Sequence, residues 1–369
     1  MQQAPIVEEF IQLVQVDSPS RKERKMVDLL TQKLTALGCT VWEDDAGKQI
    51  PEGTAGNLHA YLEGDLPGAV LFVAHMDRVQ NGENVHPQVL KDKVVSDGST
   101  VLAADDLAGV CAILDGLRRI QENPRPHPRI EILLTVCEEI GLQGTRYVDV
   151  SKFQAKIGYV LDSPGTIGRV LDSAMGKAEL FLDVTGKAAH SAYPELGVSA
   201  TRTAVLILSQ LGDGRIDEDT VANWSYFEAP CPCNTIPGQA KAQAFLLSRN
   251  SQSIQGYIDQ FENVSNLVAE KMGATVNARS ILHYPPFLVE KNAPSIRRVC
   301  AALTQLGIEP RVEHGAGGCD ANRLNDLGIE CVALSTGYSK NHTVHEEVLI
   351  QDLIQSGKMV ELLMTNPVE

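Results

Sequence analysis

The chain has 369 residues, enough for two domains and a large core, and its 43% hydrophobic and 21% charged residues are the balance of an ordinary globular protein. A net charge of −15 without any basic run argues against a nucleic-acid surface, and no apolar stretch is long enough to span a bilayer. Met1-Gln2-Gln3-Ala4-Pro5 lacks the charged and apolar regions of a signal peptide, so the sequence reads as a cytoplasmic protein with neither nucleic-acid nor membrane partners.

Residues 5–16 have helical apolar spacing, with Pro5 suited to a first turn. Ser18-Pro19-Ser20 breaks the chain, and a second helix is predicted to about Leu37, with Gly38 as its cap. Cys39 to Trp42 reads as a strand and residues 45–56 as a turn-rich loop. Strands follow at Leu58 to Leu62 and at Ala69 to Ala74, the second an apolar run that ends in His75-Met76-Asp77. Asp105 and Asp106 open a helix running to about Ile120, where a helix dipole favours acidic groups. Residues 129–136 form a strand leading into Cys137-Glu138-Glu139-Ile140-Gly141, and Lys156 to Leu161 another, leading into Asp162-Ser163-Pro164-Gly165. This pattern predicts an α/β fold with a mostly parallel sheet and its site at one edge, where strand carboxyl ends receive ligands.

Near residue 175 the texture changes. Residues 177–185 alternate like a half-exposed antiparallel strand. A helix at about 197–211, strands near 221–229 and 239–248, a helix at about 252–271 and a strand at 274–283 complete a β-α-β-β-α-β order, the ferredoxin-like signature. The predicted organisation is a discontinuous first domain, 1–173 and 286–369, with an inserted α+β domain at 174–285. The inserted domain's strand edges and helices make it a candidate homodimer surface.

The eight cysteines are expected to be reduced. Cys111, Cys300 and Cys331 lie in apolar runs as core thiols, and Cys231-Pro232-Cys233 is too short for a zinc clip. The candidate ligands are instead His75, Asp77, Asp105, Asp106, Glu138, Glu139, Asp162, His342 and His345. Nitrogen and oxygen donors without thiolates suit Zn²⁺, Mn²⁺ or Co²⁺. Each group alone reads as an ordinary cap or turn; together they follow or neighbour buried-looking strands of one domain.

Five segments resemble, in order, the metal-site motifs of the M20 metallopeptidases: Ala74-His75-Met76-Asp77, Ala104-Asp105-Asp106-Leu107-Ala108-Gly109, Cys137-Glu138-Glu139-Ile140-Gly141, Leu161-Asp162-Ser163 and Asn341-His342-Thr343-Val344-His345-Glu346. Gly186-Lys187-Ala188-Ala189-His190-Ser191 resembles the family's inserted-domain histidine motif, and Gly317-Gly318-Cys319-Asp320-Ala321-Asn322 a segment of its peptidase T-like branch. The resemblance implies a two-metal site, with zinc as the expected ion. His75 and Asp162 would bind one ion, Glu139 and His342 the other, and Asp105 both. It implies Glu138 as general base, Asp77 as a carboxylate orienting His75, and His190 as a lid imidazole assisting catalysis. Asn234, Arg249 and Gly318 would hold substrate. The implied activity is removal of the N-terminal residue from tripeptides. A carboxypeptidase, an N-acyl-amino-acid deacylase or a metal-free binding protein on the same fold are the alternatives. Two departures stand out: Arg78 where Thr is common, expected to alter local charge and substrate preference, and Leu107 where Lys or Asn is usual.

Overall fold

A computed structural model describes residues 4–368, and its chain divides into two units, Met1–Ala174 with Phe287–Glu369, and Met175–Pro286. The first unit is built on a mixed sheet. Its strands run in the order Thr40–Glu43, Leu58–Leu62, Arg129–Thr135, Ala69–His75, Ile157–Ser163, Glu330–Ser335, Arg169–Ala174 and Phe287–Leu288, with Arg311–His314 also paired to Arg169–Ala174. The four central strands, from Arg129–Thr135 to Glu330–Ser335, are mutually parallel. They are covered on both faces and so read as continuous apolar runs rather than alternating ones. Every residue of Ala69–His75 is buried, and Phe72 meets Tyr159 ring to ring with centroids 5.8 Å apart.

Helices close over this sheet. Ala104–Glu122 buries nearly all of its length, and Ile350–Thr365 packs against it so closely that a Cβ at Gly116 would sit 2.9 Å from Val360 Cγ1. Small residues are what allow two helix backbones to approach in this way. Each large apolar side chain removed from water here stabilises the fold by about 1.5–3 kcal/mol.

Three features differ from the sequence reading. Residues 45–56 are not all loop: Ala46–Gln49 make one helical turn, because the Asp44 carboxylate accepts hydrogen bonds from Ala46 N at 2.9 Å and Asn57 N at 2.8 Å. The predicted helix at 197–211 is shorter, Ala200–Leu208, since Ser199 Oγ caps it by accepting from Arg202 N at 3.2 Å. A small four-stranded sheet of Tyr338–Ser339, Glu347–Leu349, Lys93–Val95 and Gln88–Val89 went unpredicted. Strands of two or three residues leave no periodicity to read. The cysteines are free, and Cys300 lies at the edge of the core rather than within it.

The second unit carries a five-stranded antiparallel sheet in the order Gly214–Arg215, Thr220–Glu228, Gln239–Ser248, Gly176–Thr185 and Thr275–Tyr284. Ala178, Leu180, Leu182 and Val184 point to one face and share a core with the helices Ala200–Leu208 and Ser251–Met272. The long helix is fixed at both ends. Asn250 Oδ1 accepts from Gln252 N and Ser253 N, and Gly273 closes it with φ +69°. No helix among the described residues is long and apolar enough to cross a membrane.

Candidate active site

Register places the acidic segments together. His75 is paired with Thr135, the last residue of its strand, so Glu138 and Glu139 leave the sheet beside His75 and Asp77. On the other side Val73 pairs with Val160, and extending that parallel register by two residues sets His75 beside Asp162. Three neighbouring parallel strands thus deliver His75, Asp162 and the Glu138–Glu139 turn to one sheet edge. Asp105 arrives from the start of Ala104–Glu122, and His342 from the turn between Tyr338–Ser339 and Glu347–Leu349.

The donor atoms converge. Candidate ligand atoms of His75, Asp105 and Glu139 lie within 4.8 Å of one another, as do those of His75, Glu138 and Asp162. Asp105 joins the two halves: its Oδ1 is 3.2 Å from His75 Nε2 and its Oδ2 is 3.2 Å from His342 Nε2. His342 Nε2 is also 3.1 Å from Glu139 Oε2. Asp106 is turned away. Its oxygens accept from His75 N at 3.3 Å and Gly109 N at 3.2 Å, and a Cβ at Gly109 would collide with that carboxylate.

Asp77 departs from its expected role. The His75 ring is oriented by Asp77's main-chain carbonyl, which accepts from Nδ1 at 3.0 Å and leaves Nε2 facing the cluster. The Asp77 carboxylate stands 3.7 Å from Nδ1 and accepts instead from Ser20 Oγ at 2.6 Å, Glu138 N at 2.9 Å and Glu139 N at 3.3 Å. It shapes the Glu138–Glu139 turn. Arg78 departs further: only 1% exposed, it presents no charge to a substrate. Its guanidinium donates to the carbonyls of Val14, Val16 and Gly82, tying down the end of the first helix, and Leu107 is simply core.

Electrostatics follow from crowding carboxylates out of water. Burial and the neighbouring Asp162 push the Glu138 pKa well above the usual carboxylate range, and burial and Asp105 do the same to Asp162. Hydrogen bonds to Asp105 and Glu139 push His342 up to about 10. For His75 burial opposes the charged form, but Asp105, Asp162, Glu138 and Asp77 outweigh it and raise the pKa.

Three further residues, to which the sequence reading gave no role, bond to the site or brace it. Tyr338 donates to Asp162 Oδ1 at 2.9 Å, and Asn341 Nδ2 to Asp105 Oδ2 at 2.6 Å. Asp320 is buried and accepts from Thr135 Oγ1 and Thr145 Oγ1 at 2.6 and 2.9 Å, bracing the chain on either side of the Glu138–Glu139 turn. Gly318, half-buried, leads into Cys319 and Asp320.

In the second unit His190 and Asn234 come together. Ala189–His190 pairs with Thr235–Ile236, and Ser191 N donates to the Asn234 carbonyl at 2.9 Å. His190 Nδ1 accepts from Ala192 N at 3.1 Å, so a neutral ring carries its proton on Nε2. Arg249 is elsewhere. The ribbon precedes Gln239–Ser248 and Arg249 follows it, so roughly 30 Å of strand separates them.

A model of peptidase family M20/M25/M40 matches residues 71–366. The uncharacterised protein YqjE of Bacillus subtilis (strain 168) is 33% identical over 357 residues, which span 96% of each chain. The crystal structure of the aminopeptidase PepT from Bacillus cereus ATCC 10987 superimposes with a TM-score of 0.92 at 32% identity, covering 99% of this chain and 98% of that one. A tripeptidase from Staphylococcus aureus superimposes with the same score at 30% identity, over 97% and 96%.

Proposed function

The chain belongs to peptidase family M20/M25/M40 and is a metallopeptidase, and on that premise we propose that it removes the N-terminal residue of short peptides, tripeptides foremost, at a pair of divalent cations. The observation that carries this reading is Asp105, whose two oxygens face His75 and His342 separately. That is the arrangement of a carboxylate shared between two ions. The donor set fits such ions: imidazoles and carboxylates, with His75 and Asp105 buried and His342 at the exposed side, and with more acid than base among them. His75 and Asp162 would hold one ion, Glu139 and His342 the other, and Asp105 both, with Zn²⁺ first and Mn²⁺ or Co²⁺ compatible. When bound, the pair would lower the pKa of a shared water toward ~7 and offset charge growing on the scissile carbonyl.

The chain's own groups do the rest. Glu138 takes a proton from the attacking water and passes it to the leaving amine; burial raises its pKa above the usual carboxylate range, which strengthens it as a base. Asp77 keeps Glu138 and Glu139 in place through their main-chain amides. The Nε2–H of His190 is a donor suited to the oxyanion, and the Arg249 guanidinium suits a peptide's terminal carboxylate through a two-toothed pair. Asn234 and Gly318 would supply an amide and a close-approaching backbone.

The separation within the second unit supports a homodimer. A tripeptide spans about 10 Å, so Arg249 and the His190–Asn234 ribbon of one copy do not reach the same substrate. Two copies pairing through this unit would let one supply Arg249 and the other the ribbon.

The reading is tested by incubating purified protein with Zn²⁺, Mn²⁺ or Co²⁺ and a tripeptide panel. Chelator-sensitive release of the N-terminal residue is expected, and its absence would sink the assignment. Acetylating the peptide's N-terminus should abolish turnover; continued turnover would instead favour a carboxypeptidase or deacylase. Sedimentation of the intact protein reads the dimer directly.

A further inference from the structure

Two buried carboxylates take no part in the proposed chemistry, yet each grips main chain beside a ligand. Glu23 is fully buried and Glu346 is 1% exposed. Burying a carboxylate is costly unless its oxygens are answered by donors. Here the donors are amides of the two turns that present acidic ligands.

Glu23 Oε1 accepts from Cys137 N at 3.1 Å, Cys137 Sγ at 3.2 Å and Arg21 N at 2.9 Å. The amides of the next two residues, Glu138 and Glu139, go to Asp77. Three consecutive N–H groups are therefore committed to carboxylates. Cys137 itself has φ +54°, a left-handed conformation that non-glycine residues rarely take. Glu346 acts on the other turn. Its Oε2 accepts from Leu102 N at 2.7 Å and Ala103 N at 2.9 Å, and its Oε1 from Asp105 N at 2.9 Å. Ala103 too is left-handed, with φ +61°. Each acidic pair is thus preceded by an unfavourable backbone conformation with a buried carboxylate bonded to it.

Building on the ligand assignment above, we propose that Glu23 and Glu346 are positioning residues that hold the Cys137–Glu139 and Leu102–Asp105 turns in their ligand-presenting conformation before any cation arrives. The two differ in one respect. Among the described residues Glu23 makes its bonds through Oε1, and its Oε2 has no hydrogen-bond partner there. Glu346 uses both oxygens. An amide can therefore replace Glu23 while preserving every acceptor contact. At position 346 it turns an –NH₂ toward a main-chain N–H whichever way it is placed.

The test is zinc affinity of the chelator-stripped full chain, measured by competition with a chromophoric chelator, alongside the melting temperature of the stripped protein. Outer groups that orient ligands are worth roughly 10–100-fold in metal affinity, and that loss is expected for Glu346→Gln and Glu23→Ala. Glu23→Gln should restore affinity to near wild type. If Glu346→Gln does not fold, Glu346→Asp, which withdraws both oxygens by one methylene, should show the same loss. Wild-type affinity in folded Glu346→Gln (or Glu346→Asp) and Glu23→Ala overturns the assignment, because a group that only fills the core shifts melting and leaves zinc uptake alone. Wild-type protein that takes up no Zn²⁺ overturns the ligand reading itself, a separable result.

Discussion

The sheet edge of the first unit and the short ribbon of the second are built in opposite ways. At the sheet edge His75, Asp105, Glu138 and Asp162 are held by buried elements, main chain around them is pinned by Asp77, Glu23 and Glu346, and Asp320 holds the Thr135 and Thr145 hydroxyls. In the ribbon, His190 and Asn234 are exposed, and the His190 ring accepts from an amide two residues away. The rigid region suits chemistry that depends on ångström placement of charge. The open one suits groups that must meet substrates of varied sequence.

The largest effect should come from the rigid region. Glu138→Ala is expected to lower kcat by roughly 10²–10⁴-fold while the protein still takes up metal; retained activity in a steady-state assay would remove Glu138 from the proton-transfer role. His190→Ala tests the open region. It should lower kcat by a smaller factor, leave zinc uptake unchanged, and leave the melting temperature where it was, because an exposed ring contributes little to the core. A change in zinc uptake would break the contrast between the two regions.

Proton release is the next measure. Without a cation His342 holds its proton up to about 10, above the ~6.5 of an unperturbed imidazole. At pH 7 a cation must displace that proton, so metal affinity should rise with pH until His342 deprotonates on its own near 10. Calorimetric titration of Zn²⁺ in two buffers of different ionisation heat should give observed heats that differ in proportion to the protons released; equal observed heats would mean that no net proton leaves on binding and would count against His342 as a ligand. The smallest expected effect is that of Tyr338→Phe, which removes the hydrogen bond to Asp162 and should cost about 0.5–1.5 kcal/mol of stability. Chemical denaturation measures it.

The sequence was legible where one strand carries its own signal. The strand is apolar from Ala69 to Ala74 because both faces are buried, and the candidate ligand His75 stands at its end. The same logic exposed the strands before Glu138 and Asp162. The brief sheet that frames His342 was invisible, since two-residue strands are defined by their partners rather than by their own pattern. Arg78 misled for a related reason: a charged residue beside a site reads as exposed, and only packing shows it bonded to helix-end carbonyls.

By itself the sequence determined the candidate donor types, their order along the chain and the strands that carry them, because covalent neighbours fix what a strand end can present. Tertiary structure decided the rest. It set Asp105 facing both histidines with Asp106 turned away, as the motif resemblance implies, turned Asp77's carboxylate onto the Glu138–Glu139 amides, and brought Glu23, Tyr338, Asp320 and Glu346 against segments far from them in sequence. Those choices depend on which amides and rings lie within 3 Å or so of a carboxylate, a property of register and packing that local sequence does not contain.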